Sequence, residues 1–258
     1  MIVEHLPVAN GFLIGAIVFV LVFVGALLGL RLRTLLPAHH LSAESKDIVK
    51  LGVGLIATMS ALLLSLLLAS AKGSYDAQRN GLIQMAANIV VLDRALAHYG
   101  PESGPVRAKL RGAVELILER MWPEATGRPS QLAPSEASEH LYDEIQALAV
   151  RTDAQRTLRA EALSLTVEIA RARWLLLERS GFTIPMPFLL MLALWLALIF
   201  LSFGLFAPSN PTVVASFFIC AIAIASAIFL IVELDQAFAG IIRVPSAPLR
   251  GALTNLGR

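Results

Sequence analysis

The sequence predicts an all-α membrane protein with four transmembrane helices and a helical domain inserted between spans two and three. Three observations point there. The 258 residues are 57% hydrophobic and only 16% charged, with a mean hydropathy of +0.72, more apolar surface than a water-soluble domain of this size can hide. Four runs of about twenty apolar residues, uncharged apart from Lys50 near the edge of the second, match the length needed to cross the hydrocarbon core. The stretch from Lys72 to Met186 holds 28 of the 40 formal charges, 14 basic and 14 acidic, and so expects water. The apolar runs are continuous rather than alternating, which argues against a β-barrel.

The first span is expected over Gly11 to Leu30. The residues before it, MIVEHLPVAN, carry an acid and no Lys or Arg, and the run after them exceeds the usual 7 to 15 residues of a signal core, so a retained span is expected rather than a cleaved leader. The second span is placed at Ile48 to Ala71, with Lys50 close enough to its edge to snorkel. These two form an N-terminal membrane part, 1–71. The segment 72–186 follows, with apolar residues three and four apart in SYDAQRNGLIQMAANIVVLDRALAHYG, VRAKLRGAVELILERMW, SEASEHLYDEIQALAV and DAQRTLRAEALSLTVEIARARWLLLERSG. That spacing predicts amphipathic helices. GPESGP and PEATGRPSQLAPS punctuate them, and Ser135 with Glu139, or Asp153, supply capping signals. Spans three and four are placed at Pro187 to Phe206 and Thr212 to Val232, within 187–232, and 233–258 forms a C-terminal exit segment.

Basic residues set the expected orientation. Arg31, Arg33, Lys46 and Lys50 lie in the first loop, whereas Lys72, Arg79, Arg171, Arg173, Arg179, Arg243 and Arg250 flank the other ends of the spans. The heavier set belongs on the cytoplasmic side, which places both termini and the 72–186 domain there; a bacterial inner membrane suits this layout.

If the helix of span two continues into the first polar helix, Gly54, Ala57, Ala61, Ser65, Ala69, Lys72, Asp76 and Arg79 follow at steps of three or four. Two readings stand side by side. Small residues let helix backbones approach closely, or copies of this helix surround an axis and the stripe lines a pore, with Leu64 or Leu68 as an apolar constriction. Gly73 marks either continuity or a kink. At the far end of span four, Glu233 and Asp235 sit about 200 degrees apart around a helix and oppose its macrodipole, so some partner must retain them: Arg79, Arg243, or less readily a cation. Ala239-Gly240 and IIRVPSAPLR, with two prolines, predict an extended exit.

Other chemistries find little support. No P-loop, HExxH, GxSxG, CxxC or Rossmann fingerprint occurs, so no enzyme and no cofactor are expected. The net charge of +2 excludes a nucleic-acid partner on electrostatic grounds. Cys220 is the only cysteine, so no internal disulfide is possible. His39-His40 reads as a solvated pair rather than a metal site, and the spans contain no acid, Arg or His of the kind that proton-coupled transporters use.

YDAQR at 75–79, LDRALAHYG at 92–100, MWP at 121–123 and LDQAFAGIIRVPSAPL at 234–249 together resemble the bestrophin-like domain family of bacterial and plant membrane proteins. In that family the last motif is expected as LD-x-PF-x-G-x-I-x-V; Leu234, Asp235, Phe238, Gly240, Ile242 and Val244 match, and Ala237 stands at the proline position. The resemblance implies similarity to bestrophins, pentameric channels whose second span lines the pore and whose helices between spans two and three form a cytosolic funnel. It therefore implies a homo-oligomer, a pentamer, that passes small inorganic ions. Only Glu233 and Asp235 correspond to the longer acidic cluster of calcium-sensing bestrophins, and Leu, Ala and Ser stand where those proteins carry aromatic neck residues. The alternative reading is a membrane-anchored interaction protein whose helical domain binds a partner protein.

Overall fold

The computed structural model describes residues 11–37, 42–122, 137–178, 184–238 and 241–257. Its elements are all helical: α1 (Gly11–Leu35), α2 (Ala43–Tyr99), α3 (Gly104–Met121), α4 (Ala137–Gln146), α5 (Asp153–Glu178), α6 (Met186–Phe206), α7 (Pro211–Asp235) and α8 (Ala247–Asn255). Four of them, α1, α2, α6 and α7, are long and apolar enough to cross a membrane. The chain groups into two compact units, Met1–Ser74 with Phe182–Asp235, and Tyr75–Gly181 with Gln236–Arg258.

In the first unit, α1 packs on α6 and α7 through a line of glycines and small apolar residues, Gly11, Gly15, Val18, Val22, Gly25, Ala26 and Gly29. A methyl group on Gly25 would stand 2.9 Å from the Ala197 carbonyl oxygen, and one on Gly29 or Gly204 would meet backbone atoms more closely still. Here glycine is required by backbone approach rather than by a turn. Close packing of small residues is thus found between the first and third spans. At Gly52, Gly54 and Gly73 an added methyl would touch nothing within 4 Å. Phe19, Phe23 and Phe218 interlock as stacked and edge-on rings between α1 and α7. Arg33 donates to the Ala207 carbonyl, satisfying an acceptor at the C-terminal end of α6.

Helix α2 is unbroken for 57 residues, passing through Gly73. It begins at Ala43, five residues ahead of the expected span, because the Ser42 hydroxyl accepts the Ser45 N–H as an N-cap. Helix α7 likewise starts under a cap, with the Asn210 side chain accepting the Val213 N–H at 2.9 Å and Pro211 following it. It continues past the expected end at Val232 to Asp235.

The second unit is built on the inward face of residues 82–96 of α2. Leu82, Met85, Ile89, Leu92 and Leu96 are fully buried against Val106, Leu110 and Val114 of α3 and Leu141 and Ile145 of α4. Gly100, at φ +128°, ends α2 in a conformation other residues rarely adopt. Thr152 rather than Asp153 caps α5, accepting the Gln155 N–H, while the Gln155 side chain accepts the Arg151 N–H. The Ser135 cap lies outside the described residues. The expected extended exit holds for residues 241–246, which form no helix, but is overturned from Ala247 on, where the chain forms α8, whose Leu249 and Ala252, with Leu256 just beyond, bury in the same core as α3. Pro248 does not break this helix because it sits in the first turn, where no intrahelical N–H is lost.

Candidate functional site: the free face of the second span and the acids ending the fourth

Helix α2 meets its own unit with one side only. Val53, Ile56, Ala57, Leu63, Leu64, Leu67 and Ala71 pack on the apolar cluster formed by α1, α6 and α7, and Ser60 is buried among them. The opposite side is exposed and divides into two sectors by helical angle. Gly54, Thr58, Ala61, Ser65, Leu68, Ala69 and Lys72 form a sector that is mostly small or polar, whereas Leu51, Leu55, Met59, Leu62 and Leu66 form a bulky one beside it. In the first sector the hydroxyls are already satisfied: Thr58 donates to the Gly54 carbonyl at 2.9 Å and Ser65 to the Ala61 carbonyl at 2.8 Å. Such back-bonding lets a hydroxyl sit in apolar surroundings without a second partner.

The stripe read from the sequence is therefore divided. Gly54, Ala61, Ser65, Leu68, Ala69 and Lys72 lie on the exposed side, and Ala57 and Leu64 are turned toward the cluster. Asp76 is half-buried and Arg79 exposed, both in the second unit.

Glu233 and Asp235 are both buried, at 5% and 1% exposure. Each lies at the start of another helix. The Glu233 carboxylate lies against Gly11, the first described residue of α1, so closely that a methyl there would come within 2.7 Å of Oε1. Asp235 Oδ2 accepts the Ile184 N–H at 3.3 Å, two residues before α6 begins. Carboxylates are stabilised at helix N-termini, where unpaired N–H groups and the macrodipole favour negative charge. The acids oppose the dipole of α7 while complementing those of α1 and α6. Because they lie about 200 degrees apart, each reaches a different helix.

Beyond residue 74 the sequence motifs, apart from Leu234 and Asp235, meet in the second unit. Tyr75 Oη donates to the Arg243 carbonyl at 3.5 Å, and Trp122 Nε1 donates to the Val244 carbonyl at 2.9 Å. Trp122 packs edge-on to Phe238, and the Val244 N–H donates to the Ala237 carbonyl at 2.8 Å. Ala237 itself is buried, so the position where proline was expected is filled by a small side chain at a tight turn. Gly240 and Pro123 lie outside the described residues. Within LDRALAHYG, Tyr99 Oη donates to the Ala149 carbonyl and Gly100 terminates α2. Asp93 accepts two bonds from Arg107, at 2.8 and 2.9 Å, and a third from the Gly257 N–H at 3.3 Å. Burial pushes the Asp93 pKa up, but the Arg107 hydrogen bond, the Gly257 N–H and the Arg107 and Arg94 charges together outweigh it, leaving the carboxyl below its ordinary value. These residues hold the C-terminal segment to α2 and α3. Sequence reasoning missed Arg107 and Gln78, the latter buried at 1%. The signal for Arg107 was present: an Asp in a helical apolar face needs a cation nearby.

Among the described residues no group of three or more His, Cys, Asp or Glu side chains is placed to hold a metal. His39-His40 lies outside them.

Four spanning-length helices and a second helical unit define an integral membrane protein of all-α class. The chain belongs to the bestrophin-like domain family, whose model matches residues 19–249. No curated protein and no solved structure matches it.

Proposed function

We propose that the chain is one subunit of a homo-oligomeric ion channel, a pentamer, in which copies of α2 surround an axis and small inorganic ions pass between them. The observation that carries this reading is the two-sector exposed face of α2. The bulky sector of Leu51, Leu55, Leu62 and Leu66 suits contact with a neighbouring subunit, and the sector of Gly54, Ala61, Ser65 and Ala69 suits a narrow path. Membership of the bestrophin-like family supports it. Leu68, on the small-residue side, is the constriction on this reading, and Lys72, Asp76 and Arg79 set the charge at one mouth. The 72–186 segment and both termini face the cytoplasm of a bacterium, following the basic residues near the spans. The protein is not an enzyme and needs no cofactor on this account.

Reconstitution into liposomes tests it. Ion flux above empty liposomes is expected, and Leu68→Ser raises it by removing an apolar barrier to water. Leu64→Ser lowers stability instead, because Leu64 packs on the cluster. Absence of flux across several salts and both polarities contradicts the proposal.

A second reading, a membrane-anchored interaction protein, is favoured by one feature: Trp174, Leu175 and Val167 of α5 are each about half exposed. A copurifying partner lost on Trp174→Ala, together with a monomeric state, supports that reading over the first.

A further inference from the structure

Helices α1 and α6 leave a groove of about 600 Å³ between them on the outside of the first unit. Its floor includes Gly25 and Ala197, and its walls include Val20, Val24 and Leu28 of α1 and Leu198 of α6. The lining is apolar from end to end. From Ile17 to Leu28 it extends about 17 Å at roughly 1.5 Å per residue, close to the ~15 Å depth of one leaflet's hydrocarbon.

Its end is marked by a charge. Val20, Val24, Leu28 and Arg31 follow one another at steps of four, four and three, so Arg31 stands on the groove side of α1 one turn beyond the apolar floor. Arg31 is exposed and its side chain has no ion pair or hydrogen bond among the described residues. Arg33 lies on the opposite side of the helix and is already engaged with the Ala207 carbonyl. The two arginines of RLR thus differ, one tying α1 to α6 and the other exposed one turn beyond the apolar groove.

We propose that this groove is a binding site for an anionic phospholipid, with one acyl chain along Val20, Val24 and Leu28 and its phosphate on the Arg31 guanidinium. Two properties favour a lipid over another occupant. The groove is as long as one leaflet is deep, and it ends at a single outward cation, the residue type whose planar fork matches phosphate oxygens. The site does not depend on ion passage.

Native mass spectrometry of the full chain in mild detergent, after addition of phosphatidylglycerol or phosphatidylcholine, tests it. The unaltered protein is expected to retain phosphatidylglycerol preferentially. Arg31→Gln reduces that preference several-fold, while Lys46→Gln, a loop-charge control, leaves it unchanged. Val20→Trp fills the groove and lowers retention of both lipids; Leu198→Phe makes the same test if that variant does not fold. Equal retention of the two lipids by the unaltered protein, or an unchanged preference in Arg31→Gln, overturns the proposal. So does a change in subunit number rather than in lipid content with Val20→Trp, which assigns the groove to a second copy.

Discussion

Among the described residues three carboxylates, Asp93, Glu233 and Asp235, are buried at 5% exposure or less; Asp93 and Asp235 accept backbone N–H bonds, and Glu233 lies against the first turn of α1. Asp93 accepts three bonds, two from Arg107 and one from the Gly257 N–H. Since its folded pKa is lowered, its stabilising effect is fully present above the ordinary carboxylate value of about 4 and is lost as the pH falls through the folded pKa. Asp93→Asn is expected to cost about 2 kcal/mol at neutral pH, and hydrogen exchange over α8 should show the loss. The difference between variant and parent shrinks below pH 4; a difference that persists there contradicts the assignment. For Glu233 the expectation is a structural role at the α1 N-terminus. Glu233→Gln should lower the thermal midpoint by the equivalent of about 1 to 2 kcal/mol, and calcium or a chelator should leave the parent's midpoint where it is. A calcium-dependent shift would revive the cation that the sequence left open.

At the scale of elements, what was legible followed from period and length. The four spans and the helices of the charged stretch were readable, because apolar continuity and a 3.6-residue period need no tertiary information; whether α2 continued through Gly73 or kinked there was open in the sequence, and the helix is unbroken there. Helix α8 and the end of α7 lie beyond that signal, because breakers and charges there are compensated by tertiary contacts. Pro248 falls in a first turn, and Glu233 and Asp235 find compensation on other helices. Neither fact is present in local sequence. The glycines show the same limit: small residues in α1 and α2 look alike on paper, yet only those of α1 are closed in by backbone. This gives a paired prediction. Gly29→Leu should prevent folding of the membrane unit, since its first side-chain atom meets the Leu201 carbonyl, whereas Gly54→Ala should leave the subunit folded and gain up to about 1 kcal/mol of helix propensity. Fluorescence-detected size exclusion distinguishes the outcomes, and equal tolerance at both positions contradicts the packing described.

For the whole molecule, the family motifs and the proposed ion path separate. Tyr75, Asp93, Trp122, Phe238 and Val244 are explained by the closure of the second unit around its C-terminal segment. The small-residue sector of α2 lies in the first unit and is not explained by any contact within one subunit. In the proposed channel, this face, bordered by leucines and free of steric demand at its glycines, is the one that faces the axis between copies. The most direct test replaces Cys220 with serine and introduces single cysteines along α2 in the reconstituted oligomer. A small charged thiol reagent in the aqueous phase should modify positions 54, 61, 65 and 69 and reduce flux, while positions 51, 55, 62 and 66 stay protected. Protection of both sets alike, or modification of the leucine set, would contradict a water-filled path along the small-residue side of α2.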